Sequence, residues 1–131
     1  MPEDNTFESL GLEPALLTSI AALGFETPTP VQAAVIPRLL ESGRDIVGLA
    51  QTGTGKTAAF GLPCIQKVVA ASPHTQVLIL CPTRELCLQI TRDLTAYSRH
   101  KPGIRTVAVY GGSSIERQIT ALRRGAHIIV A

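Results

Sequence analysis

Leu16, Ile20 and Leu23 recur along "LEPALLTSIAALGF" at the spacing of one helical face. The pattern predicts a short helix that Pro14 opens and Gly24 stops. "TPTPVQAAVIPRLLESG" predicts a second helix from about Pro30, kinked at Pro37 and ended by Gly43. Beyond Gly43 the pattern changes, and short apolar runs alternate with amphipathic stretches. "DIVGLA" (45–50) reads as a strand, and Thr57 to about Ala70 as a helix. "QVLILC" (76–81) reads as a buried strand, followed by a helix from Arg84 to about Ser98 with Leu86, Ile90, Leu94 and Tyr97 on one side. "RTVAVY" (105–110) is a third strand. Ser113 and Glu116 have capping-box spacing and open a helix carrying Ile115, Ile119 and Leu122. "HIIVA" (127–131) is a fourth strand. This alternation predicts an α/β fold, a parallel sheet with right-handed crossovers flanked by helices. A helical region over 1–44 precedes the α/β region over 45–131.

Composition narrows the picture. The 131 residues are 45% hydrophobic and 17% charged, which excludes a disordered chain. Aromatics are 4% and Trp is absent, so the core must be aliphatic, as in sheets covered on both faces. The net charge of +2 is unevenly spread. Residues 1–45 hold seven acids against Arg38 and Arg44, a balance of −5, and residues 46–131 hold ten bases against Glu85, Asp93 and Glu116, a balance of +7. A basic second half is compatible with a polyanion partner, but charge alone favours a solvated surface. Cys64, Cys81 and Cys87 give neither a disulfide framework nor a zinc spacing, and Cys64 and Cys81 read as small core residues. His74, His100 and His127 are scattered and suggest no metal site. No apolar run approaches the ~18 residues of a membrane span. The acidic N-terminus is unlike a signal peptide, so a cytoplasmic protein is expected.

The segment "AQTGTGKT", Ala50 to Thr57, carries the chemistry. The general phosphate-loop pattern is G-x-x-x-x-G-K-[ST]. Ala50 replaces the first glycine, while Gly55, Lys56 and Thr57 match between a predicted strand and a predicted helix. Gly53 and Gly55 let the backbone curl with its N–H groups inward around an anion, and the helix adds its positive end. Lys56 supplies a cation for the outer phosphates, and the Thr57 hydroxyl can ligate Mg²⁺. Ligands of open parallel sheets bind beyond the carboxyl ends of the strands. The second predicted strand delivers Pro82-Thr83-Arg84 to that edge, and the third delivers Gly111-Gly112-Ser113. Both turns open helices whose free N–H groups could take a phosphate, and both are also ordinary turn chemistry.

Hydrolysis needs a carboxylate near Mg²⁺ and an oriented water. No later strand ends in an acid: "VLILC" runs into Pro82, "VAVY" into Gly111 and "IIVA" into the last residue. Asp45 starts its predicted strand, about 16 Å from Ala50 at ~3.3 Å per residue. Glu85 and Glu116 sit where an acid favours a helix dipole. The chain is expected to bind a nucleotide without the parts to hydrolyse it.

These residues resemble the DEAD-box ATP-dependent RNA helicases, in the N-terminal part of their first RecA-like domain. "AQTGTGKT" is similar to motif I, in which the family carries Ala where other phosphate loops carry Gly. "GFETPTPVQ", Gly24 to Gln32, resembles the Q motif, with Phe7 at its upstream aromatic position. "PTRELCLQ", Pro82 to Gln89, resembles motif Ia, Gly111–Gly112 the glycine doublet, and "IIVA" the approach to motif Ib. The resemblance implies a RecA-like P-loop fold, incomplete, with four of the domain's strands. It implies ATP and Mg²⁺ as cofactors, and an RNA partner held by its sugar-phosphate backbone through Pro82, Thr83, Arg84, Gly111 and Gly112. It places Phe7, Phe25, Thr27 and Gln32 around adenine, and Ala50, Gln51, Thr52, Gly53, Thr54, Gly55, Lys56 and Thr57 around the phosphates, with Lys56 and Thr57 catalytic. Gln32 also completes a T-x-x-Q capping box with Thr29, so it could simply close its helix. Phe7 and Phe25 could be core residues, Gln89 structural, and Arg117, Arg123 and Arg124 a solvated face.

The acidic motif, the Ser-Ala-Thr motif, motif Ib proper and the second RecA-like domain with its arginine fingers are not among these residues. In the family's sheets the phosphate-loop strand lies between strands that come later in sequence. "DIVGLA" is therefore expected to lack its neighbours, leaving a fragment of marginal stability or a loop strand that sits differently. Two other readings stay open: a non-catalytic nucleotide- or RNA-binding fragment, and an unrelated P-loop enzyme, which a preference for GTP would favour.

Overall fold

The computed structural model describes residues 4–41 and 43–131. Met1 to Glu3, part of the acidic N-terminus, and Ser42, in the second predicted helical stretch, lie outside the described residues. The chain divides into two compact units, one running to Lys67 and one from Val68 to Ala131.

The first unit is helical. A 3-10 turn, Glu8–Leu10, leads to α1 (Pro14–Ala22), α2 (Pro30–Glu41) and α3 (Lys56–Lys67). Pro14 stands in the first turn of α1, where its missing N–H costs nothing, and Gly24 follows the helix at φ +86°. Leu16 and Ile20 of α1, Ile36 of α2, and Leu62 and Ile65 of α3 are fully buried. Helices α2 and α3 pack on each other. Gln66 ties α3 to the entry of α1: its Oε1 accepts from Glu13 N at 2.9 Å and its Nε2 donates to Gly11 O at 3.0 Å. Helix α2 continues through Pro37.

The second unit runs β1 (Val77–Ile79), α4 (Arg84–Tyr97), β2 (Thr106–Ala108), α5 (Ile115–Arg123) and β3 (Ile128–Val130). The three strands are parallel in the order β1-β3-β2, with Val77 and Thr106 both opposite Ile128. The last strand in sequence is thus the central one, and its Ile128 and Val130 are completely buried. Helix α4 contacts β2 and β3 and buries Cys87, Ile90, Leu94 and Tyr97. His127 braces the start of β3. Its Nδ1 accepts from Arg105 N at 3.0 Å, and its Nε2 lies 3.1 Å from Ala70 O. Among the described residues no helix is long and apolar enough to cross a membrane.

Four expectations are corrected. The sheet has three strands, because 45–50 forms none. Val47 is 87% and Leu49 92% exposed, and no backbone–backbone hydrogen bond among the described residues uses this segment. An apolar run becomes a strand only when a neighbouring strand takes its N–H and C=O groups. Strand β1 is not buried throughout: Leu78 is 62% exposed, as one face of the strand is uncovered. The stripe of Ile115, Ile119 and Leu122 on α5 is likewise exposed, and α5 buries no residue. Finally, Ser114 rather than Ser113 caps α5, its Oγ accepting from Arg117 N at 3.4 Å. Hydrogen exchange checks the first point. Amides 45–50 should exchange at nearly unprotected rates while those of 77–79 and 128–130 are slowed. Equal protection of 45–50 and 77–81 would mean that the segment is paired after all.

Candidate functional site

In the first unit, the start of α2 and the phosphate loop meet. Thr29 precedes α2 and accepts Ala33 N at 2.9 Å through its carbonyl. Its hydroxyl accepts Gln32 N at 3.4 Å, and Gln32 Oε1 accepts Thr29 N at 3.0 Å. That reciprocal pair is the capping box read from the sequence. The same carboxamide reaches further, and Gln32 Nε2 donates to Gly55 O at 3.1 Å. Gln32 is only 3% exposed, so these two bonds satisfy a buried polar group. The bond to Gly55 also ties the helix to the loop across 23 positions of sequence.

The loop has the curl its sequence predicts. Gly53 and Gly55 have φ +84° and +81°, the left-handed region that only glycine enters without strain. Thr54 between them donates its hydroxyl to Gln51 O at 2.6 Å. Lys56, the first residue of α3, reaches back and donates Nζ to Ala50 O at 2.7 Å, which closes the loop on itself. Helix α3 begins one residue earlier than predicted and ends at Lys67 rather than near Ala70. Among the described residues, the N–H groups of 51–55 enter no backbone–backbone hydrogen bond. Such amides at a helix N-terminus are the donor set that a phosphate chain requires. Gln51, Thr52 and Gly53 are exposed, and Thr57 is half-buried.

Phe7 is buried and stacks obliquely on Phe25, with ring centroids 6.0 Å apart and planes at 38°. Thr27 is exposed. A Cβ on Gly55 would run into Gln32 Nε2. Gly55→Ala should therefore cost about 1–2 kcal/mol from the φ alone, and more if Gln32 is displaced. A lower denaturation midpoint is the expected result; an unchanged one would show that the loop rearranges freely.

In the second unit, two turns converge at the carboxyl edge of the sheet. Thr83 caps α4 with extended backbone, its Oγ1 accepting Leu86 N at 3.2 Å. Pro82 and Arg84 are exposed. Because β3 lies between β1 and β2, the turns that leave the two outer strands flank its end. The Arg84 guanidinium lies over Gly112: a Cβ there would stand 2.6 Å from Nη1. Gly112 has φ +85°, and Gly111 is open. Gln118, a residue the sequence did not single out, holds this turn by donating Nε2 to Tyr110 O at 2.7 Å. Its only sequence signal was a position one turn into α5. The expectation that Cys81 and Cys64 are core residues also fails, since both are only half-buried and Cys87 is the buried thiol. Burial still pushes the Cys64 thiol up, against a smaller opposing pull from Lys67.

A family model described as DEAD/DEAH box helicase matches residues 29–131. The chain is 46% identical over 127 residues to the ATP-dependent RNA helicase DeaD of Escherichia coli (strain K12), which covers 97% of this chain and 20% of that protein. It is 50% identical over 125 residues to the DEAD-box ATP-dependent RNA helicase CshA of Bacillus cereus, covering 95% of this chain and 23% of that protein. The chain thus spans about a fifth of the length of these relatives. Among solved structures it is similar to a DEAD box protein from the hyperthermophile Methanococcus jannaschii, with a TM-score of 0.89 at 38% identity, over 95% of this chain and 34% of that one. It is also similar to the RNA-helicase Prp28 from Chaetomium thermophilum bound to ADP, with a TM-score of 0.85 at 43% identity, over 99% of this chain and 32% of that one.

Proposed function

This chain belongs to the DEAD/DEAH box helicase family, and from that premise we propose that it is the ATP-binding N-terminal part of an ATP-dependent RNA helicase. The observation that carries the proposal is the Gln32 bridge from the start of α2 to Gly55 of the phosphate loop. A carboxamide offers two N–H donors and two acceptor lone pairs. One of each is used, on Gly55 O and Thr29 N. The remaining donor and acceptor are the pair that adenine's edge complements, and guanine's does not. Capping the helix and reading the base are therefore compatible roles for one side chain. Phe7 and Phe25, packed on each other, would supply the aromatic surface for adenine, and Thr27 is an exposed hydroxyl just before α2.

For the phosphates, the amides of 51–55 and the first turn of α3 form the cradle, with Ala50 at its start. Lys56 exchanges the Ala50 carbonyl for the outer phosphates. The Thr57 hydroxyl is the residue here that would hold Mg²⁺, whose bound charge screens the triphosphate. Lys56 and Thr57 are thus the groups of this chain that touch the reacting end of ATP. The carboxylate that completes the metal site and the group that orients water belong to other parts of the helicase, together with a second RecA-like domain. Domain organisation follows the same reading: a Q-motif helical region over 1–44 and a partial RecA-like domain over 45–131, in a cytoplasmic protein.

Arg84 beside Gly112, with Pro82, Thr83 and Gly111, would grip the sugar-phosphate backbone of RNA. Such contacts carry no base readout, so affinity should depend on salt and tolerate sequence. Titration calorimetry with magnesium tests the nucleotide half. ATP should release heat, and GTP at equal concentration much less. Equal response to both would refute the adenine role of Gln32, and no response to either would refute the site.

A further inference from the structure

Cys81 and Cys87 bracket the Pro82-Thr83-Arg84 turn. Cys81 follows β1 and is half-buried; Cys87 lies in the first turns of α4 and is buried. Cys81 Sγ donates to Ala131 O at 3.3 Å, and Cys87 Sγ donates to Val130 O at 3.2 Å. Both sulfurs are thus held over consecutive carbonyls at the end of β3. The Cys87 sulfur is also near enough to help push the Cys81 thiol up. Nothing in nucleotide binding uses either thiol, and a buried cysteine needs no sulfur partner to fill its space.

We propose that Cys81 and Cys87 are a peroxide-oxidisable dithiol whose disulfide closes residues 81–87 into a ring around the Pro82-Thr83-Arg84 turn and weakens the grip of that turn on RNA. The weakening rests on the RNA reading above; the disulfide itself does not. Cys81 is the thiol that solvent can reach, so its thiolate attacks a peroxide oxygen. The O–O bond breaks, one water leaves, and Cys81 becomes a sulfenic acid. The Cys87 sulfur then attacks the sulfenic sulfur, the S–O bond breaks and a second water leaves. Two thiols lose two electrons and two protons, and one peroxide becomes two waters. Reduction by an external thiol reverses the change.

The physical consequence is local. The sulfurs must leave the Ala131 and Val130 carbonyls and close to about 2.05 Å, drawing Cys81 toward α4. Thr83 holds its cap through extended backbone, with Leu86 N 3.2 Å from its hydroxyl, so the short ring has little slack to absorb the pull. Arg84 is the next residue, and its place over Gly112 depends on that turn. Burial, and then the neighbouring Cys87, push the Cys81 thiol above its ordinary range, which keeps the thiolate scarce and the reaction slow. An excess of peroxide is therefore the appropriate probe.

The test treats the full chain with hydrogen peroxide, blocks remaining thiols, and maps the digest by mass spectrometry. The expected product is a peptide linking Cys81 to Cys87, lost on reduction with dithiothreitol. Cys87→Ala should instead leave a sulfenic acid on Cys81 that a dimedone probe captures. Fluorescence anisotropy with a labelled single-stranded RNA should show roughly fivefold weaker binding after oxidation, recovered on reduction, and Cys81→Ala should be insensitive to peroxide. Absence of the 81–87 link, or links made only through Cys64, overturns the dithiol. A link with unchanged affinity overturns the switch. If the reduced chain binds no RNA, the RNA reading falls instead, while the mass map still decides the dithiol.

Discussion

Replacing Lys56 with alanine should weaken ATP binding by roughly 10- to 100-fold, the worth of one hydrogen bond to a charged group at about 1.5–3 kcal/mol. The loss should fall on the ligand and hardly on the fold. Lys56 is exposed, and its bond to the Ala50 carbonyl is made at the surface, where water replaces it at little cost. The variant should therefore melt close to the parent chain while calorimetry with magnesium and ATP records the weaker affinity. In the intact helicase the same change should abolish ATP turnover. Unchanged affinity in a correctly folded variant would remove Lys56 from the site and with it the phosphate reading of Ala50 to Thr57.

Gln32→Ala has a different signature, because here stability and recognition fall together. The substitution strips the partner from Thr29 N and from Gly55 O and leaves a gap at a position only 3% exposed. Each polar group left unpaired costs about 1–3 kcal/mol when fully buried. Thr29 and Gly55 are both half-buried, so water recovers part of that cost. A net loss of about 1–3 kcal/mol is expected by chemical denaturation. The ratio of ATP to GTP affinity should fall toward one. Gln32→Glu separates the two roles. A carboxylate keeps the acceptor for Thr29 N, so the capping box survives. It has no N–H for Gly55 O or for the base, so discrimination should still be lost. A Gln32→Glu chain that prefers ATP as strongly as the parent would show that Gln32 only caps α2.

Much of this was legible before any coordinates. The starts of α1 and α2 follow from Pro14 and Pro30, because proline acts on its own few residues. The curl at Gly53 and Gly55 was legible for the same reason, since a positive φ is a demand on one residue. The segment 45–50 was legible only in part: its pattern reads as a strand that does not form, while the family resemblance led to the expectation, met here, that it lacks neighbours. Val47 and Leu49 have the right pattern, but pairing requires a partner that the pattern does not name. Ile115, Ile119 and Leu122 mislead in the same way, for a stripe marks a face that can be covered without saying what covers it.

Residues a few positions apart were enough to set the local geometry: a loop curled at Gly53 and Gly55, a capping box at Thr29 and Gln32, and turns that open helices after two strands. These are short-range properties, fixed by backbone sterics and side chains a few positions apart. Long-range packing set the rest: Gln32 reaches Gly55 across 23 positions, the last strand lies between the other two, and Arg84 therefore rests on Gly112. It also set the Cys81 and Cys87 thiols on consecutive carbonyls at the end of β3. Strand order and long-range bonds come from the packing of the whole unit, and no single stretch of residues carries that information.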